Sequence, residues 1–401
     1  MGFGVNNNKI GNKAEGGPIS SLYYLFIFFM FVLVPTSTNG KLPQLSETIV
    51  NWAILSITIL FCMKFFSKTN RNQLMIVVLV MAFMMVITVI SDSYTPSGRF
   101  SLARLAPILC FFAMSVVSIQ KIISIKLVKF MIHFFMGIFV VWNYLIISGD
   151  SSIQIFTISN YSQLYQDATS NMFIKNRPVM SFGIYTFASY FYFIFFLICR
   201  SLLKLTHNRI YLLYLILILV GNILLVSNTA FIFSLIMAYY IFFSFDSKRS
   251  KAVFLLFIIS AAFYVLSDLT LVEYYLESFY SKGNGFRGRY LETGTLNSNW
   301  NYLQDNFYIG FNIIDNLTYS DSGYVLYYTM GGPIFLIAMY YCFYKFSKNN
   351  FSTDYLLFLI PTLVFEFSLP VMIYYKFIYA SLFFALSFKS IKFHSNLNNQ
   401  I

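Results

Sequence analysis

Long apolar stretches alternate with short polar connections along almost the whole chain. Most of the stretches approach the length of about 20 residues that a helix needs to cross a bilayer core. Stretches such as Met75–Ile90 do not alternate apolar and polar residues, which excludes the strands of a membrane β-barrel. The pattern predicts an all-α polytopic protein with about twelve transmembrane helices in one membrane domain, residues 1–401. The predicted spans are 22–34, 49–66, 73–91, 101–118, 128–148, 179–199, 210–226, 230–245, 252–267, 322–344, 354–369 and 372–388.

Composition and the placement of charge predict how the chain is oriented in the membrane. Of the 401 residues, 58% are hydrophobic and only 10% are charged, which excludes a soluble domain because a water-facing surface needs more charge. The net charge of +12 does not indicate nucleic acid, because 18 of the 27 basic residues fall in connections on one predicted side. Connections rich in Lys and Arg face the cytoplasm. Both termini are therefore predicted to be cytoplasmic.

Two long polar segments lie on the predicted outer side, at 149–178 and 268–321, whereas the cytoplasmic connections are short. In the second segment, apolar residues recur at helical spacing from Leu296 through Trp300 to Phe307, and again from Leu269 to Phe279. This spacing predicts short amphipathic helices on the membrane surface. The alternative interpretation is that these helices only pack the loop against the bilayer. Chemistry on a hydrophilic substrate is expected on this outer side.

Between the two predicted surface helices lies a glycine-rich turn, Lys282-Gly-Asn-Gly-Phe-Arg287-Gly-Arg289-Tyr290. Glycines let the backbone approach a ligand closely, and guanidinium groups bind phosphate oxygens in bidentate fashion. The turn is therefore a candidate phosphate-binding element. A solvated turn whose arginines pair with Glu277 or Glu292 is the structural alternative, since surface ion pairs are common.

Further cations lie at the same predicted depth as this turn. Arg177 comes just before the sixth span, Arg99 and Arg104 flank the start of the fourth, and Lys376 lies near the outer part of the last. This is the depth at which a lipid-linked diphosphate places its charge. Several cations at one depth on one side favour an anionic substrate, although anchors that reach to the membrane surface explain each of them singly.

Carboxylates and amides complete the candidate chemistry of the outer side. Asp321 precedes the tenth span, where it either caps the helix or serves as a base, and Glu292 and Glu273 are the other candidate bases. Asn312 follows Gly310 and Phe311 in the same loop. All three histidines fall on or near the cytoplasmic side, which argues against an outer histidine base or zinc site. No nucleotide-binding motif is present, so neither a metal nor a cofactor is predicted.

This combination resembles the Wzy family of O-antigen and capsular repeat-unit polymerases. The resemblance covers the span architecture and rests on the arginine turn, the Trp300 helix, Gly310-Phe-Asn312, and Asp321-Ser-Gly-Tyr324 before a span that carries Gly331-Gly332-Pro333. It implies a GT-C-like glycosyltransferase of the bacterial inner membrane. Such an enzyme joins undecaprenyl diphosphate-linked oligosaccharide repeat units at the periplasmic face, together with a flippase and a chain-length regulator as partners.

The resemblance implies roles for the loop arginines, which correspond here to Arg177, Arg287 and Arg289. One departure concerns the turn between the seventh and eighth spans, where many relatives have an arginine and this chain has Ser227-Asn228-Thr229. The candidate catalytic residues are Arg287, Arg289, Asp321 and Glu292. The candidate substrate-binding residues are Arg177, Arg99, Lys282, Tyr290, Trp300 and Asn312.

Two other functions remain open at this point. An O-antigen ligase shares the loop plan and the lipid-linked donor, but resembles enzymes with a functional histidine in the large loop, and 268–321 contains none. A flippase for the same lipid-linked units suits twelve spans. However, transporters carry matched halves and polar groups at mid-membrane, and neither is evident here.

Overall fold

The computed structural model describes residues 18–34, 44–64, 71–94, 102–119, 122–162, 176–245, 251–252, 254–256 and 322–398. These residues form helices joined by turns, without strands in the described ranges. The helices are α1 (Pro18–Leu33), α2 (Gln44–Lys64), α3 (Arg71–Tyr94), α4 (Leu102–Ser115), α5 (Ile125–Ile147), α6 (Ser151–Thr157), α7 (Tyr185–Thr206), α8 (Arg209–Ile223), α9 (Asn228–Phe242), α10 (Gly323–Phe351), α11 (Leu356–Glu366) and α12 (Tyr375–Asn398).

The all-helical prediction is confirmed for the described ranges. Every predicted span except 252–267 coincides with a helix, and that span lies mostly outside the described residues. Among the described residues, α5, α7 and α10 are long and apolar enough to cross a membrane by length and composition alone, and shorter apolar helices accompany them. The number of crossings stays a prediction.

Two helices form the centre of the bundle. Every residue from 375 to 387 in α12 is buried, and so is every residue from 186 to 199 in α7. A helix that is buried on all sides must be apolar around its whole circumference, as the Phe-rich sequences of both helices are. α12 packs against α1, α4, α5, α7 and α10, and α7 packs against α8 and α9. The remaining helices surround this pair.

Contacts along α12 define two ends of the bundle. At the Lys376 end, Tyr375 OH donates to Asn51 Oδ1 at 2.5 Å, which joins the starts of α12 and α2. At the Lys389 end, residues 116–119 and 122–124 dock on α10 and α12. The Ile119 amide donates to Asn350 Oδ1 at 2.9 Å, and the Ile123 amide donates to Ser390 Oγ at 2.8 Å. The start of α12 therefore lies near α2, and the later part of α12 lies near the end of α10.

Helix α10 reverses direction at two glycines. Gly331 and Gly332 leave helical geometry, and Gly332 has a φ of 64°, a conformation that favours glycine. The ring centroids of Tyr324 and Tyr340 are 4.9 Å apart. A straight helix would separate these residues by about 24 Å along its axis. The prediction of one continuous span over 322–344 is therefore wrong, because residues 323–330 fold back along residues 333–351.

Two other predicted boundaries differ from the structure. The span predicted at 179–199 begins later, at Tyr185, because a 3₁₀ turn over Met180–Phe182 and Gly183, with a φ of 86°, precede the helix. The span predicted at 354–369 contains α11, which ends at Glu366. The break between the last two predicted spans is confirmed, since the chain is not helical over 367–374, between α11 and α12.

Candidate functional site

Arg177 is the one predicted site residue that lies within the described residues. Arg99, Lys282, Arg287, Arg289, Tyr290, Glu292, Trp300, Asn312 and Asp321 lie outside them. The described part of the candidate site therefore lies at the Lys376 end. Arg177 is located there, and the chain re-enters the bundle there at Gly323.

The segment 176–183 carries Arg177 into the bundle. The segment follows α6, which Asp150 caps by accepting from the Ile153 amide at 2.9 Å, so the first polar segment is partly helical. Gln154 Nε2 donates to Asn176 Oδ1 at 3.0 Å, and Tyr192 OH donates to the Pro178 carbonyl. Both residues that flank Arg177 are thus held by side chains from neighbouring helices.

Arg177 is buried, with 2% of its surface exposed. Its guanidinium carbon lies 4.9 Å from the ring centroid of Tyr185, the first residue of α7. A planar guanidinium stacks well on an aromatic face. A side chain that reached out to the membrane surface would be exposed. Burial therefore disfavours the membrane-anchor interpretation of Arg177.

Lys376, the second residue of α12, is also buried and is 0% exposed. Its Nζ donates to the Val32 carbonyl at 3.0 Å, to the Phe31 carbonyl at 3.3 Å and to Ser181 Oγ at 3.4 Å. The same atom lies 4.8 Å from the ring centroid of Phe182. Lys376 thus joins the end of α1 to the segment that carries Arg177.

The position of the Lys376 acceptors explains how a charge can be buried here. Phe31 and Val32 lie in the last turn of α1, whose carbonyls lack partners within the helix and carry the negative end of its dipole. An ammonium has three donors, and the three acceptors match that number. The same Nζ lies 5.4 Å from the ring centroid of Tyr161, whose pKa is raised by burial. We conclude that Lys376 positions the Arg177 segment by capping α1.

A buried carboxylate lies on the other side of the same turn. Glu366 ends α11 and is 0% exposed. Its Oε1 accepts from the Val371 amide at 2.8 Å, from the Met372 amide at 3.1 Å and from Tyr327 OH at 3.1 Å. Backbone amides at membrane depth need a partner inside the protein. Glu366 supplies that partner for the turn 367–374 and ties the turn to α10.

The beginning of α10 closes over Glu366. A Cβ at Gly323 would overlap with the Glu366 carboxylate, so only glycine fits at this contact. The Tyr340 ring, stacked on Tyr324, covers the same region. The Tyr340 hydroxyl is buried and interacts with the Glu366 carboxyl group. The reversal of α10 and the turn 367–374 therefore meet at one carboxylate.

In the sequence, Lys376 was considered only as one of several cations, and Glu366 was not singled out. A usable signal was present, since each is a lone charge inside an apolar stretch and the two flank Pro370. The turn Ser227-Asn228-Thr229 has a structural role, because Ser227 Oγ accepts from the Ala230 amide at 3.1 Å and caps α9.

The buried charged residues in the described ranges are Arg177, Glu366 and Lys376. No group of three metal-ligating side chains lies together within these ranges. The chemistry that the described site can supply is cationic, from Arg177, with Lys376 and Glu366 holding the surrounding backbone. Comparison of the chain with protein-family models, curated proteins and solved structures finds no match.

Proposed function

We propose that this protein is an O-antigen or capsular polysaccharide polymerase, a membrane glycosyltransferase that joins undecaprenyl diphosphate-linked repeat units. The growing chain is the donor. A hydroxyl of the new repeat unit attacks the anomeric carbon of the donor sugar, the bond from that carbon to the diphosphate oxygen breaks, and undecaprenyl diphosphate leaves. The hydroxyl proton passes to a carboxylate, for which Asp321, Glu292 and Glu273 are the candidates.

One observation supports the proposal more than any other. Both long polar segments attach to the bundle beside the turn 367–374. The first reaches it through Ser181, which accepts from Lys376, and the second re-enters at Gly323, against Glu366. A buried arginine, Arg177, lies in the attached part of the first segment. Segments joined at one place can act on one substrate.

The chemistry requires positive charge where the diphosphate leaves. A preorganised guanidinium supplies that charge without a metal, and it acts more strongly where water is excluded. The burial of Arg177 against Tyr185 meets this condition. Arg287 and Arg289 are proposed to contact the same diphosphate. Because the donor bond already stores the energy of the glycosidic bond, no nucleotide site is needed.

The proposal includes a topology. We assign the Lys376 end to the periplasm and the Lys389 end to the cytoplasm, because basic side chains concentrate at the latter. Twelve crossings of the inner membrane with both termini in the cytoplasm follow, and residues 333–351 supply the tenth crossing. The arrangement is proposed to be GT-C-like. If accessibility mapping placed 268–321 in the cytosol, the substrate could not meet the arginines and the proposal would fall.

The direct test uses the purified full-length protein in nanodiscs with lipid diphosphate-linked repeat units. We expect a polymer ladder from the wild type, none from Arg287→Ala or Arg289→Ala, and partial recovery with lysine, which lacks the planar fork. Lys126→Ala at the Lys389 end serves as control and should give the wild-type ladder. Wild-type ladders from both arginine variants would remove these residues from the mechanism.

A deletion strain separates the alternatives. Loss of a polymerase leaves a single repeat unit on the lipid core, whereas loss of a ligase leaves none. Reconstituted vesicles test the transport alternative, since a flippase would move lipid-linked units across the bilayer without forming polymer. We expect the single repeat unit in the deletion strain and no protein-dependent movement in the vesicles.

A further inference from the structure

A cluster of charges at the Lys389 end has no part in the proposed reaction. The guanidinium carbon of Arg200 in α7 lies 4.3 Å from the ring centroid of Tyr240 in α9. Lys204 follows one turn later in α7, and both cations interact electrostatically with Asp354, just before α11. Three helices, α7, α9 and α12, thus bring their ends to one place beside Asp354.

The charges in this cluster do not balance. The Asp354 carboxylate already accepts from Lys392 of α12, with an Nζ to Oδ2 distance of 2.9 Å. One carboxylate therefore faces three cations, namely Arg200, Lys204 and Lys392. Arg200 and Lys204 also repel each other. Like charges on adjacent turns of a helix are unfavourable unless an anion lies between or beside them.

Arg200 supplies a second, independent observation. Its Nε is buried and has no hydrogen-bond partner in the described part of the chain. Buried polar groups are nearly always hydrogen-bonded, so an orphan donor beside excess positive charge indicates an acceptor from outside the chain. A phosphate group fits best, because its oxygens match the donors of a guanidinium and its charge offsets that of Lys204.

We propose that Arg200 and Lys204 bind a phosphate group, with Tyr240 holding the guanidinium flat and Lys392 kept in place by Asp354. Lys204 is exposed and Arg200 is partly exposed, so the site is open to its surroundings. Arg200 lies near the end of the long apolar helix α7, and Tyr240 is an aromatic residue of the kind that lies at headgroup level. An anionic phospholipid headgroup and a free phosphate share this chemistry.

Binding of anionic lipid to the full-length protein tests the proposal. Native mass spectrometry would compare retention of phosphatidylglycerol with that of phosphatidylcholine. We expect preferential retention of phosphatidylglycerol, and a loss of about tenfold or more in its affinity in the double variant R200Q/K204Q. The matched control K126Q/K129Q removes the same charge from the same end and should stay within about twofold of the wild type.

Further measurements distinguish a lipid headgroup from a free phosphate and control for misfolding of the variants. Glycerol 3-phosphate is the soluble probe. If it displaces the lipid, or if it stabilises the wild type but not R200Q/K204Q against heat, a soluble phosphate is also a ligand and the site is supported. R200K/K204R keeps both charges and should retain the lipid. The single variant K204Q covers the case in which the double variant does not fold. Equal lipid retention by the wild type, R200Q/K204Q and K126Q/K129Q would overturn the proposal.

Discussion

Two lysines of α12 donate to backbone carbonyls of other segments, but their surroundings differ. Lys376 is completely buried between α1, the segment 177–182 and aromatic rings. Lys389 donates to the Ile119 carbonyl and is only partly buried, next to the half-exposed pair of Lys392 and Asp354. The comparison teaches that Lys376 holds fully buried backbone in place, whereas Lys389 and the pair of Lys392 and Asp354 are only partly buried.

The largest effect on stability is expected for Glu366→Ala. It leaves the Val371 amide and the Tyr327 hydroxyl without their acceptor, and the Met372 amide keeps only its 3.2 Å contact with Tyr327 OH, at a cost of roughly 3 to 6 kcal/mol. Glu366→Gln keeps an oxygen in place and should cost about 1 to 2 kcal/mol. Unfolding of the purified protein in detergent measures both changes. Equal stability of the two variants would show that the acceptor is not what holds the turn.

Arg177→Ala tests the functional side of the comparison. If Arg177 stabilises charge on the departing diphosphate, polymer formation should fall by about 100-fold. Lys126→Ala at the other end should leave the rate unchanged. Initial rates in nanodiscs, with folding checked by gel filtration, give the answer. A wild-type rate for the Arg177 variant would assign the buried guanidinium a structural role alone.

The two lysines can be compared directly by replacing each with methionine. Lys376→Met removes the donor for the carbonyls of Phe31 and Val32 and for Ser181, and we expect a loss of about 2 to 3 kcal/mol. Lys389→Met removes the donor for Ile119 at a less buried site and should cost about 1 kcal/mol. The difference in unfolding free energy is the measurement, and a reversed order would contradict the comparison.

Glycine substitutions probe the fit at the Lys376 end. Gly323→Ala would push the Glu366 carboxylate away from its donors and should cost about 1 to 3 kcal/mol. Gly137→Ala in α5 is the matched control, since its Cβ would meet nothing within 4 Å. That variant should gain about 0.4 to 1 kcal/mol, because alanine loses less backbone entropy on folding. Thermal unfolding of both variants would reveal whether the close contact matters.

The smallest effect on stability is expected at the Lys389 end. Asp354→Asn removes the partner of Lys392, yet the two side chains are 40% and 37% exposed. Exposed ion pairs contribute about 0 to 1 kcal/mol, so stability should hardly change, and added salt should reduce the difference further. A loss as large as that of Lys376→Met would mean that this end is as tightly organised as the other.

Helix positions were largely predictable because the apolar stretches are long and uninterrupted. The turn near Pro370 was predictable for the same reason, since proline and stretch length together forbid one continuous helix. The start of α7 was not predictable from the sequence. The residues around Ser181 form part of an apolar stretch, but in the structure Ser181 lies in a 3₁₀ turn and contacts Val32 and Lys376. The role of Lys376 was missed because its acceptors Phe31, Val32 and Ser181 are distant in sequence. The role of Glu366 was missed because its donors meet only when the turn 367–374 closes and α10 packs against α11.

The amino-acid sequence by itself determined that this chain is helical and apolar, with its charges concentrated in the connections between apolar stretches. These properties follow from composition and local periodicity. Tertiary structure alone decided that α10 folds back at Gly331 and Gly332, and that Arg177 is buried beside Tyr185. It also placed Glu366 and Lys376 on either side of one turn with their backbone partners. Such contacts join residues up to hundreds of positions apart, and no local pattern encodes them.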